Sequence, residues 1–160
     1  MKTNNRRTTI SKRMGISKRM GNSNKTRRNR NHSVHHNEQQ IVTLFLQMLN
    51  TVKLYHWKTS SFAQHKATDE LYSNLNTNID QFVETMLGKT GGRVNLTGQK
   101  TLPLLDYTNT NDFVKEINRY KLFMQDLEKY IPLESNSDLF NIRDEILGNL
   151  NQFTYLLTFK

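Results

Sequence analysis

The stretch "KTGGRVNLTGQKTLPLLDYTN", Lys89–Asn109, decides the fold. It contains Gly91, Gly92, Gly98 and Pro103 and sustains neither a helical nor an alternating apolar period, so it reads as a connection. A loop of this length is unusual in a compact domain unless it has a topological task. Two runs of helical period lie on each side of it. The order is therefore helix, short turn, helix, long loop, helix, short turn, helix, and a crossover along a helical bundle is the task that fits.

The first helix is expected over Glu38–Lys58, where Ile41, Val42, Leu44, Phe45, Met48, Leu49, Val52 and Tyr55 recur at threes and fours, with Asn37 as its cap. The second is expected over Ser61–Leu87, carrying Leu71, Leu75, Ile79, Phe82 and Met86 and ending near Gly88. A third over Asn111–Tyr130 shows Phe113, Ile117, Tyr120, Phe123 and Leu127, with Pro132 helping to stop it. A fourth over Ser137–Thr158 shows Phe140, Ile146, Leu150, Phe153 and Leu157. The fold class is all-α: a four-helix bundle of residues 37–160, of the arrangement associated with ferritin-like folds. A basic extended arm of residues 1–36 precedes it.

The arm holds all of the excess charge. Met1–His36 contains eleven Lys or Arg and no Asp or Glu, whereas Asn37–Lys160 has twelve basic and fourteen acidic residues, and the whole chain carries +9. The arm lacks apolar period and is expected to be disordered or held by a partner. A tandem repeat, "ISKRMG" at Ile10–Gly15 and Ile16–Gly21, precedes the denser run "KTRRNR" at Lys25–Arg30. Lys12, Arg13, Lys18, Arg19, Lys25, Arg27, Arg28 and Arg30 are the candidate contacts to DNA or to an acidic protein surface such as a capsid face. The three histidines of "NHSVHH", Asn31–His36, read as linker.

The absence of cysteine excludes disulfides and thiolate chemistry, so any metal must be held by His, Asp or Glu. No apolar run reaches the ~20 residues of a membrane span. The N-terminus has no secretory apolar region, so a virion or host-cell interior, nuclear or cytoplasmic, is expected. No nucleophile, base and orienting group stand together, and "GKTGG" at Gly88–Gly92 lacks the spacing of a phosphate loop. The residues point to a non-catalytic binding protein with no required cofactor.

One polar stripe stands out on the second helix. At about 100° per residue from His65, Asp69 falls at about 40°, Asp80 at about 60° and Glu84 at about 100°, away from the apolar face. His65 and Asp80 lie about 22 Å apart along the axis, so no single ion touches both. A second copy packed by a two-fold axis would bring His56, His65 and Asp69 opposite Asp80 and Glu84 of its mate. The plain alternative is a solvated stripe, with Trp57 packed under the turn and His56 capping the last carbonyls of the first helix.

The segment His56-Trp57, Phe62, His65, Asp69, Asp80, Glu84, Leu87, Gly88 and Gly91-Gly92 resembles the DNA-protection-during-starvation (Dps) branch of the ferritin-like proteins. The wording "HWKTSSFAQHKATDELY" is also similar to an uncharacterised ferritin-like family of large DNA viruses. The first resemblance implies an iron-oxidising site between subunits at His56, His65, Asp69, Asp80 and Glu84, a homo-oligomer, and a basic tail that binds DNA. The interval from His56 to His65 departs from the Dps pattern, being shorter by three, which implies a tightened turn.

Overall fold

The computed structural model describes the backbone over residues 23–159 and the side chains over residues 37–159. It is built of α1 (Ser23–Lys58), α2 (Phe62–Thr90), α3 (Thr110–Gln125) and α4 (Ser137–Leu156). Two single-turn 3-10 segments, Leu127–Lys129 and Leu133–Ser135, join the last two helices, and no strand occurs among the described residues.

From Glu38 onward each helix forms where the apolar spacing places it, and local chemistry sets its ends. Ser61 is extended and its hydroxyl accepts from the Gln64 backbone N–H, the Ser-x-x-Gln start of α2. Asn109 caps α3 by accepting from the N–H groups of Asn111 and Asp112, and Asp112 adds a carboxylate to that first turn. Helix α2 runs past Gly88 and stops at Gly91, which takes φ 68° and ψ 11° and donates its N–H to the Leu87 carbonyl at 2.8 Å. The expected end at Gly88 is thus one turn too early, because only Gly91 adopts the left-handed conformation that closes the helix. The two glycines should respond oppositely to alanine. Gly88→Ala, with nothing within 4 Å of the added Cβ, should raise stability by about 0.5–1 kcal/mol. Gly91→Ala should lower it by about 1–2 kcal/mol; thermal unfolding of both variants checks the sign.

Helix α3 ends at Gln125, earlier than expected, and the chain steps through the 3-10 turns around Pro132. Helix α1 differs more. Its backbone is helical from Ser23 rather than Glu38, so residues 23–36 of the expected disordered arm continue the first helix. Once a helix is nucleated each further residue adds at little cost, and the Lys and Arg of this stretch are good helix formers with no glycine or proline among them. Residues 1–22 lie outside the described structure.

The core follows from the faces. Ile41, Phe45, Met48, Val52 and Tyr55 of α1 meet Leu71, Leu75, Ile79, Phe82 and Met86 of α2, with Phe45 edge-on to Phe82 at 5.2 Å. Tyr55 stacks on Phe113 of α3 at 3.9 Å, and Phe113 meets Phe153 of α4 at 5.9 Å. Helix α1 therefore neighbours α2 and α3, while α4 packs on both α2 and α3. At the far end, Lys89 Nζ of α2 reaches Asp138 at 2.6 Å and the Ser135 carbonyl at 2.8 Å, and this ammonium holds the Asp138 carboxyl below its usual range. In the interior, Tyr120 OH and Thr51 Oγ1 lie 2.9 Å apart and join α1 to α3. Burial pushes the Tyr120 phenol well above the ordinary tyrosine range.

The crossover occupies residues 92–109 and is strapped along α1. Gln39 Nε2 donates to the Asn95 carbonyl (2.6 Å), Thr43 Oγ1 to Gln99 Oε1 (2.9 Å) and Gln47 Nε2 to the Pro103 carbonyl (3.3 Å). Lys58 then pairs with Asp106 at 2.6 Å. Gln39, Thr43 and Gln47 stand one turn apart on a single stripe of α1. The chain thus returns from the end of α2 to the start of α3, as the length of Lys89–Asn109 requires.

Candidate functional site

The corner between α1 and α2 is built from their closest approach. Thr59–Ser61 is the whole turn, so the last turn of α1 lies directly against the first of α2. Tyr55 OH donates to Gln64 Oε1 at 2.8 Å, and Thr59 Oγ1 donates to the same oxygen at 2.9 Å. Gln64 thereby fixes both helix ends.

Two imidazoles sit beside this clasp with centroids 3.9 Å apart and planes inclined by 23°. The shortened interval does not separate them; it stacks them. His56 Nδ1 lies 3.1 Å from the His65 carbonyl, and His65 Nδ1 lies 3.1 Å from the His56 carbonyl. A carbonyl only accepts, so each Nδ1 carries the proton and donates, and in the neutral rings each Nε2 keeps a lone pair. Thr68 Oγ1 stands 3.2 Å from His56 Nδ1 and donates to backbone carbonyls of its own helix, the Gln64 oxygen at 2.8 Å among them. His56 and Thr68 are buried, while His65 is exposed.

The structure distributes the expected ligands unequally. His56, His65 and Asp69 converge, with Asp69 Oδ1 3.8 Å from His56 Nε2. Asp80 and Glu84 lie farther along α2, exposed and remote from the corner. Among the described residues no group of three or more His, Asp or Glu stands close enough to hold a metal ion. One chain therefore supplies two imidazole nitrogens and one exposed carboxylate, and that set alone does not complete an iron site.

The plain alternative also needs correction. Trp57 does not pack under the turn: it is 69% exposed, with the Lys53 ammonium 5.8 Å from its ring. His56 satisfies a carbonyl of the opposite helix rather than the end of its own. Sequence reasoning missed Thr68 and Gln64. The Ser-x-x-Gln spacing at Ser61 was the available sign for Gln64, but nothing in the pattern marks Thr68 as the buried hydroxyl beside the ring. Of the basic candidates, Lys12, Arg13, Lys18 and Arg19 lie outside the described residues. Lys25, Arg27, Arg28 and Arg30 fall on the helical backbone of α1, ahead of the described side chains.

A family model described as a family of unknown function, DUF5856, matches residues 56–157, more than half of the chain. The chain belongs to the DUF5856 family. The match opens at His56, so the corner, α2, the crossover and the last two helices are the DUF5856 part, and the basic segment lies ahead of it. An uncharacterised 14.6 kDa protein in the mobD-ri intergenic region of enterobacteria phage T4 is 31% identical over 105 residues, covering 64% of this chain and 73% of the phage protein. Neither match carries a ferritin-like description. No solved structure matches this DUF5856 chain. No helix among the described residues is long and apolar enough to cross a membrane.

Proposed function

We propose that the protein is a non-catalytic viral binding protein, a ferritin-like bundle whose basic N-terminal segment engages DNA. The observation that carries this reading is the segregation of charge: eleven cations and no carboxylate before Asn37, against a slight acidic excess after it. A polyanion is the partner such a segment suits, since each neutralised phosphate releases counterions. The order of helices, with one long crossover strapped along α1, supports the ferritin-like reading, since bundles with one long crossover include that fold. The phage T4 relative supports a viral setting. Deleting Met1–Asn31 tests the reading, with fluorescence anisotropy on labelled duplex DNA: loss of binding is expected, and undiminished binding overturns it. Retention on an acidic capsid surface with no DNA affinity would move the arm to a protein partner.

A second reading has one specific support, the pair of imidazoles held by reciprocal backbone bonds through Nδ1, with the Asp69 carboxylate 3.8 Å from His56 Nε2. It makes the protein a Dps-like homo-oligomer that takes ferrous iron as substrate between subunits, where Asp80 and Glu84 of another copy complete the donor set. Metal analysis and the rate of ferrous oxidation decide it. A rate above buffer that is lost in His65→Ala, with folding unchanged, supports this reading; a rate equal to buffer removes it.

A further inference from the structure

Most aromatic rings of the bundle are buried or half-buried. Among the described residues four are exposed, Trp57, Phe62, Tyr155 and Phe159, each between 58% and 78%. All four stand at one end of the molecule. Trp57 is in the last turn of α1, Phe62 opens α2, Tyr155 is in the last turn of α4, and Phe159 follows that helix. Tyr155 and Phe159 meet edge-on at 5.1 Å, and Phe159 shares a groove with Ala63, the residue after Phe62. The rings therefore surround the start of α2.

Their combined area is large for a single chain. An aromatic side chain offers about 150–250 Å², so at these exposures the four present roughly 400–700 Å² of apolar surface. Monomers rarely leave more than a few hundred Å² open in one patch. A stable interface takes about 800 Å² from each partner, which is within reach once the wall of the groove is added.

Shape points to what covers this end. The groove, about 540 Å³, lies between α2 and the end of α4, with Ala63, Ala67, Ser73, Leu156 and Phe159 among its walls. It is open because α2 puts small side chains there, and Phe62 stands exposed beside it. A knob next to a hole that another molecule's knob can fill is self-complementary. A two-fold axis that seats Phe62 of one copy in the groove of its mate seats the second Phe62 in return.

Charge agrees with that occupant. Lys66, Asp69 and Glu70 line the groove and are exposed, so both signs form a polar rim about an apolar centre. The carboxylates would repel an anionic surface, whether nucleic acid or acidic lipid. The cations that would repel a second copy are at the opposite end: Arg30 and Trp57 are about 40 Å apart along α1, several times the screening length of about 8–10 Å at physiological salt.

We propose that the aromatic end is a self-association surface, where two copies of this chain meet head to head with Phe62 of each in the groove between α2 and α4 of the other. The contact differs from the side-by-side pairing of α2 in the second reading above and depends on neither reading.

The test uses the full chain without DNA. Sedimentation equilibrium over a dilution series should show the mean mass rising from 18.9 kDa toward twice that value. Trp57 is the chain's only tryptophan, and its emission should shift to the blue in step with the mass. Phe62→Asp should raise the dissociation constant by roughly 30-fold or more, the effect of losing a central aromatic anchor. Its circular dichroism should match that of the unaltered protein, as should its urea unfolding in dilute solution, where the chain is single. Ala63→Arg, which fills the groove from an exposed position, should weaken the dimer likewise. Asn76→Arg, exposed on the same helix and about 20 Å along it from Ala63, should leave the dimer intact. A single-chain mass at every concentration overturns the proposal, as does a dimer that neither Phe62→Asp nor Ala63→Arg weakens. A dimer dissolved by Asn76→Arg alone would also overturn it, by placing the contact along the length of α2. A single chain that floats with phosphatidylcholine vesicles would assign the aromatic end to lipid instead. No arm of the experiment contains DNA, so the DNA-binding reading and this contact stand or fall separately.

Discussion

Phe113→Ala should lower the unfolding free energy by about 3–5 kcal/mol, the largest loss expected from any single truncation at this aromatic junction. Phe113 is fully buried, its ring lies 3.9 Å from that of Tyr55 at 6°, and its edge contact with Phe153 is at 5.9 Å and 78°. The ring thus ties α1, α3 and α4 together near the end where the crossover delivers the chain. Three separately anchored helices cannot all close on the space an alanine leaves, so the cavity cost adds to the lost transfer energy. The two aromatic contacts add about 0.5–1.5 kcal/mol each. Urea unfolding followed by circular dichroism should show a lower midpoint with an unchanged slope. Phe62→Ala is the control: that ring is 78% exposed, and its loss should change stability by no more than about 0.5 kcal/mol.

DNA affinity should fall by about 10³- to 10⁵-fold between 50 and 200 mM salt, the behaviour of a protein making roughly 6–10 phosphate contacts. The arm carries eleven cations, enough for that number. A plot of log affinity against log salt should be linear, with a slope of about −0.9 per phosphate neutralised. Scrambled duplexes of equal length should bind alike, because such contacts carry no base readout. A flat salt response, or strong preference for one sequence, would be incompatible with the arm as the DNA contact.

The helices were legible because burial writes itself into spacing. Leu71, Leu75, Ile79, Phe82 and Met86 recur at threes and fours, and all are buried. The ends were less so: Gly88, Gly91 and Gly92 look equally able to stop a helix, and the choice depends on which of them the surrounding chain turns left-handed. The start of α1 was missed because a polar, cationic stretch gives no period to read, although its backbone needs none once the helix is under way. At the corner, the residue types were visible but their arrangement was not. Reciprocal bonds between each ring and the other residue's carbonyl depend on the angle at which two helices meet, and spacing does not report that angle. The polar stripe of Gln39, Thr43 and Gln47 carries no signal in the spacing for a similar reason, since only the returning chain shows what those side chains hold.

That returning chain has a consequence for its own length. Gln39, Thr43 and Gln47 each bind a partner 56 residues later, so over this span the crossover advances at the rise of the helix beside it, about 1.5 Å per residue. Irregular loops ordinarily absorb insertions and deletions freely. Here one residue added between Asn95 and Gln99 would move both later partners out of step, while a change after Asp106 would leave all three bonds in place. The longest loop among the described residues is measured against a helix, and its tolerance to change begins where that ruler ends.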